Sequence, residues 1–439
     1  MSGVRLRPLV AKEIRALLPA WLATLAAIGA AALSAPSGHT LGLVAYGFGS
    51  TALGAQTVGH EYTHRTLSLL LTQPVSRRRL LLVKLGVLTA MLLTLAGVAR
   101  VTLLGPDELG WVYASLLCSL VGAPLLTMLC RNPLAGIVLT GALPVWASVL
   151  RDAVSAPVLW GVTLVISIPA AAASWHLFMR LEAVDGRGSE LELPRVFRRT
   201  RATASPGGVL PRDPLRQLVK KELHLQQLTF AVAAVWAVLW GMMSALPRFV
   251  PGYVTFPIAA VSILFGALLA VLIGSLASAE ERHIGTLEWQ LLLPIAAWKQ
   301  WAVKVGTALG IAGLLSFVFP VLLATGEVRF SVGHAAAIVF LTVGSLYVSS
   351  LCRSGVRALI VSAPIMLIVA LLSLWVATFL SGNPRGLLMA PTAGVVACML
   401  WFAYENHRSA RQSAARVSWQ VLWMAGAVAI GVAVVAALP

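Results

Sequence analysis

The chain has 439 residues, of which 59% are hydrophobic and 11% charged, with a mean hydropathy of +0.87. Soluble domains carry about 25% charged residues, so apolar runs at this density require a bilayer and exclude a water-soluble enzyme or carrier. The 33 Lys and Arg outnumber the 16 Asp and Glu for a net charge of +17, but no basic stretch carries interleaved aromatics for stacking bases, so the charge reads as membrane topology and not as nucleic-acid binding.

In chain order, residues 1–18 are basic and amphipathic and lead to no processing site. They predict a helix lying along a leaflet, with Leu6, Leu9, Val10 and Ile14 down and Arg7, Lys12 and Arg15 up. Runs able to cross about 30 Å of hydrocarbon as α-helix follow. They fall near 19–36, 40–58, 81–104, 110–130, 134–150 and 157–179. Residues 181–214 are polar, Arg-rich and broken by Pro194, Pro206, Gly207, Gly208, Pro211 and Pro214, the composition of a linker. Leu215–Leu225 is a second amphipathic stretch, and runs near 228–246, 254–278, 302–324, 334–351, 357–380 and 387–404 form a second set. A thirteenth run, 419–438, has no counterpart. None shows the period-2 alternation of a barrel strand.

The expected fold is therefore an all-α polytopic membrane protein, built from two tandem six-helix repeats and one extra C-terminal transmembrane helix. Its expected parts are a first unit over 1–180, a cytoplasmic linker over 181–214, a second unit over 215–406, and a loop with the extra helix over 407–439. Pro124, Pro144, Pro169, Pro320 and Pro364 mark expected kinks. Cys118, Cys130, Cys352 and Cys398 lie within or at the ends of spans without a CxxC pair, so neither a disulfide framework nor a zinc cluster is expected. With the N-terminus cytoplasmic, 28 of the basic residues face inward and five, Arg100, Arg151, Arg248, Arg329 and Arg385, face out, in the sense of the positive-inside rule. Thirteen spans place the C-terminus outside, and the expected location is a bacterial inner membrane.

The two halves echo each other. Laid without gaps, Glu61–Gly86 falls on Glu281–Gly306 with eight identities in 26 pairs: Glu61/Glu281, Thr66/Thr286, Leu67/Leu287, Leu71/Leu291, Pro74/Pro294, Val83/Val303, Lys84/Lys304 and Gly86/Gly306. Chance gives roughly two, so a duplicated unit is expected. Lys12-Glu13 also matches Lys221-Glu222, and Leu129-Cys130-Arg131 matches Leu351-Cys352-Arg353.

Inside the echo, His60-Glu61-Tyr62-Thr63-His64 is an H-E-x-x-H pattern, which sets two imidazoles one turn apart for zinc with the glutamate as base. The second copy keeps Glu281 but has Glu280 and Ile284 at the histidine positions, and no Asp or Glu lies inside a predicted span to supply a third ligand. An intramembrane zinc metalloprotease is thus the weakest reading, and no metal is expected.

The pattern Glu–x4–Thr-Leu–x6–Pro–x9–Lys, in a loop between the second and third spans of each half, resembles the signature of ABC-2-type permeases. The resemblance implies that these loops dock ATP-binding subunits. The residues carried over are Glu61, Thr66, Leu67, Pro74, Arg77, Arg78 and Lys84 in the first copy, and Glu281, Gly285, Thr286, Leu287, Glu288, Pro294 and Lys304 in the second. Two departures stand out: Arg65 where the family usually has glycine, and Ala296-Ala297-Trp298-Lys299 where it has a basic run. Glu61 to Leu71 independently predicts a helix ending before Pro74, with Leu67, Leu70 and Leu71 as a stripe a partner can bury. Trp298 and Trp301 have the character of membrane-interface anchors. The chain has no G-x-x-x-x-G-K-[ST] and no Gly-Lys dipeptide, so ATP and magnesium are expected in a separate subunit, in two copies per permease chain, and no catalytic residue is expected here. The expected function is the permease of an ATP-driven exporter. Its rival is a twelve-helix secondary transporter, disfavoured by the lack of titratable acids within the predicted spans.

Overall fold

The computed structural model describes residues 6–33, 38–63, 66, 75–103, 109–141, 156–181, 214–245, 258–286, 290, 295–323, 332–379, 384–409 and 414–437. Among them all regular structure is helical. Six helices are long and apolar enough to cross a membrane: Arg7–Leu33, Arg77–Leu103, Val112–Cys130, Ser262–Arg282, Ala297–Leu322 and Val332–Leu351. The chain divides into two compact units, one taking Met1–Glu192 and Gly241–Phe256, the other Leu193–Trp240 and Pro257–Pro439.

In the first unit, α1 (Leu6–Leu33) packs on α2 (Gly38–Thr63) and α3 (Arg77–Leu103). Beyond them come α4 (Leu109–Leu117), a π-helical segment (Cys118–Gly122), α5 (Ala123–Cys130) and α6 (Ala156–Met179). The second helix is the hub, because its Gly, Ala, Ser and Thr residues let neighbouring backbones approach closely. At Gly54 a Cβ would collide with the Ser119 carbonyl oxygen, so only glycine allows that approach. The amphipathic segment expected on a leaflet is instead the start of one continuous helix through Pro19. Its Glu13 and Leu17 are buried. The side that carries Glu13 and Leu17 packs on other helices, while Ile14 stays exposed.

The second unit contains α7 (Pro214–Leu225), α8 (Gln227–Ala245) as far as Trp240, α9 (Ile258–Ile284), α10 (Ala297–Ala312), a π-helical segment (Gly313–Val318), α11 (Phe319–Leu323), α12 (Val332–Leu351), α13 (Gly355–Phe379), α14 (Pro384–Arg408) and α15 (Ala414–Ala437). Here α9 is the hub, packed on α12 and α13, and a Cβ on Gly274 would meet the Thr342 carbonyl oxygen. The extra helix α15 packs on α14 through a reciprocal amide pair. Asn406 Nδ2 donates to Gln420 Oε1 at 3.3 Å and Gln420 Nε2 donates to Asn406 Oδ1 at 3.1 Å. Tyr347 Oη also donates to Gln420 Oε1, at 3.0 Å. Buried amides have no water to fall back on, so this pair fixes the register of α15.

The prolines act in two ways. Pro169 and Pro364 lie inside continuous helices. Pro124 and Pro320 are each the second residue after a π segment. A proline has no N–H to give and crowds the carbonyl four residues back, which falls inside the π segment each time. The strain is relieved there by i−5 bonds, from Ala123 N to Cys118 O and from Phe319 N to Leu314 O. Pro144 lies outside the described residues.

Candidate functional site

Four residues picked out by the internal echo meet in the first unit: Lys12 and Glu13 from α1, Glu61 from the last turn of α2, and Lys84 from α3. Lys84 Nζ donates to Glu13 Oε1 and Oε2 at 2.9 Å each, to Glu61 Oε1 at 3.3 Å and to the Thr57 carbonyl at 3.0 Å. Lys12 Nζ donates to Glu61 Oε1 at 2.8 Å, and Thr66 donates from its hydroxyl to Glu61 Oε2. The side chains of Lys84 and Glu61 are each 1% exposed.

The matched residues build the same object in the second unit. Lys304 Nζ lies 2.6 Å from Glu281 Oε2, donates to Glu222 Oε1 at 3.3 Å and donates to the Ala277 carbonyl at 2.7 Å. Lys221 bonds Glu281 Oε1 and Gln290 Oε1. Thr57 and Ala277, which supply the carbonyls, stand at the same separation in sequence as Lys84 and Lys304.

Each quartet carries two positive and two negative charges. Desolvating one charge alone costs several kcal/mol, whereas a neutral, mutually bonded set is tolerated. Burial alone would raise the Glu61 carboxyl, but the Lys84 and Lys12 ammoniums and the Thr66 hydroxyl hold it down, to about 2. Glu222 goes the other way: burial raises it, Lys304 opposes the rise, and the adjacent Glu281 carboxylate reinforces it. Within the second quartet, Glu222 is therefore the carboxyl biased toward its protonated form. Mechanically, each quartet ties together the ends of three helices on either side of residues 64–76 and 285–296.

The other sequence-selected residues scatter. Thr286 Oγ1 donates to the Glu281 carbonyl at 3.4 Å. Gly285 adopts φ +78° and closes the end of α9, a left-handed position that suits glycine. Arg77 donates to the Met179 carbonyl, while Arg78 is exposed. Leu67, Leu70, Leu71, Pro74, Leu287, Glu288, Pro294 and His64 lie outside the described residues. Trp298 is 58% exposed with the Lys299 ammonium 5.6 Å from its ring, whereas Trp301 is buried against His407 at 5.5 Å and is no membrane-surface anchor.

Glu61 and Glu281 form charge-assisted bonds to lysines of their own unit, because both side chains point into the packed helix ends. The glutamate of the H-E-x-x-H pattern is likewise occupied by Lys12, Lys84 and Thr66, so it is not a free general base. Among the described residues no group of three His, Cys, Asp or Glu is placed to hold a metal. The four buried acids, Glu13, Glu61, Glu222 and Glu281, lie at helix ends, outside the spans expected from sequence.

Sequence reasoning noticed Lys12-Glu13 but did not place it in the site. The stronger signal was nearby: Leu6–Glu13 and Leu215–Glu222 agree at six of eight positions. Gln290 had no such signal, since Leu70 stands opposite it. Nor did His407, which is buried with both ring nitrogens unpartnered and follows Asn406, whose carbonyl accepts from Arg282 at 2.8 Å. Burial, and next the Lys304 ammonium, lower His407 from its ordinary range to about 4.

A depressed imidazole means the unfolded chain binds the proton more readily, so this group removes stability as pH falls from its ordinary value toward about 4. Thermal unfolding of the solubilised protein should show this acid sensitivity, reaching about 3 kcal/mol at most. His407→Phe should remove that sensitivity without loss at neutral pH. An unchanged acid profile in the variant would refute the assignment.

No family model, curated protein or solved structure matches the chain.

Proposed function

We propose that the chain is the membrane-embedded permease of an ATP-driven transporter of the ABC-2 type, an exporter made of two tandem six-helix units and one additional helix, with ATP bound and hydrolysed by separate subunits. The observation that carries this reading is the pair of neutral quartets. Matched residues clamp the helix ends on both sides of two matched loops. A loop held on such a base moves with its helix bundle, so force applied by a partner at the loop rocks the bundle and is not absorbed locally. The partner-facing groups are then the exposed residues beside each clamp, Arg78 and Trp298, and the clamped glutamates act by positioning them.

Arg78→Glu and Trp298→Ala test this reading without touching either quartet. Each is expected to cut recovery of the ATP-binding partner by about tenfold, the usual loss for one interface anchor, while chain abundance stays at the wild-type level. Undiminished recovery in the double variant would remove these loops as the docking surface.

One observation favours a second reading, a proton-coupled secondary transporter. Glu222 and Glu281 are buried side by side, and Glu222 is biased toward its protonated form. That reading requires uptake or efflux driven by a proton gradient in vesicles holding this chain alone. The permease reading requires none.

A further inference from the structure

Between the first two helices of the first unit lies a cavity of about 440 Å³ lined by Pro8, Ala11, Lys12, Arg15, Ala16 and His60. We propose that it holds the phosphate of an anionic phospholipid; the inference rests on the reading that these helices cross a membrane. Lys12 gives one bond to Glu61, yet its side chain is 39% exposed, so an ammonium with three donors keeps capacity toward the cavity. Arg15 is exposed one turn along the same helix and offers the planar fork that matches two phosphate oxygens.

The surroundings point to a lipid and not to a soluble anion. Leu18 and Leu22 are exposed at three and seven residues beyond Arg15, so they continue its face along the apolar part of α1. A headgroup held by Lys12 and Arg15 therefore has its acyl chains laid along an apolar stripe. The cavity is open because Pro8, Ala11 and Ala16 are compact. At the matched positions the second unit carries Gln217, Lys220 and Leu225, with His224 for Arg15 and the carboxylate of Glu280 for His60. Larger side chains there, and the loss of the Arg15 guanidinium fork, assign the site to the first unit alone. Cationic recesses at the ends of membrane helices are a known setting for phosphate headgroups.

The test is lipid retention by the detergent-solubilised full chain, read by native mass spectrometry after addition of phosphatidylglycerol or phosphatidylcholine of equal chain length. Wild type should retain one phosphatidylglycerol about tenfold better than phosphatidylcholine, and Arg15→Gln and Ala11→Phe should each erase most of that preference. His224→Gln should leave it intact. Equal phosphatidylglycerol retention by wild type, Arg15→Gln and Ala11→Phe would overturn the site, and so would displacement of the lipid by inorganic phosphate at comparable concentration. Recovery of the chain in the soluble fraction after alkaline extraction would instead overturn the membrane reading beneath it.

Discussion

Replacing Lys304 by methionine is expected to destabilise the second unit by about 3–5 kcal/mol, the range for removing one partner from a buried ion pair. Lys304 is fully buried, and its loss leaves Glu222 and Glu281 facing a single cation, Lys221. Two carboxylates at that separation cannot both stay ionised without water, so one must take up a proton or the helix ends must part. Lys84→Met should do the same to Glu13 and Glu61 in the first unit. Restoring neutrality should restore most of the loss: Lys304→Met combined with Glu281→Gln leaves Lys221 paired with Glu222, and the amide still bonds Lys221. Thermal unfolding of the solubilised variants checks this as a double-mutant cycle. A single methionine variant as stable as wild type would show that the quartets are not structural, and additive losses in the double variant would show that the charges are not coupled. Glu61→Ala and Glu281→Ala, which sequence alone places at a partner surface, are accordingly expected to lower chain abundance before they affect any partner.

Much of this was legible before any geometry. Composition and the apolar runs led to a helical membrane protein, and the internal echo contained all eight quartet residues. What the sequence could not supply was direction. A glutamate at the end of an apolar helix reads the same whether it meets solvent, a partner or a lysine from another helix, because periodicity records only its own helix face. The first helix shows the same limit: Arg7, Lys12 and Arg15 describe one polar face, and nothing local reveals that Glu13 and Leu17 on the other side are buried by α2 and α3. The prolines were legible as breaks but not as π turns, a choice set by how closely Gly54 and Gly266 bring neighbouring backbone to the distorted segment. Gln290 and His407 left no trace, because each completes one quartet's surroundings and has no twin.

The asymmetry between the units bears on assembly. On the proposed permease reading, both clamps belong to one chain, so a single chain should offer both docking faces that an ATP-driven transporter needs. Partner stoichiometry is therefore expected to be one permease of 46.4 kDa to two ATP-binding subunits, and the faces need not bind equally, since Arg77 and Arg78 border the first and Trp298 and Lys299 the second. Loss of one face should leave a one-to-one complex with little ATP turnover, because nucleotide-driven closure takes two subunits. The direct measurement is the mass of the intact complex solubilised from its own membrane. One copy of this chain with two ATP-binding subunits is the result predicted; two copies of the chain per pair of such subunits, or the chain recovered with no ATP-binding subunit at all, would contradict the account.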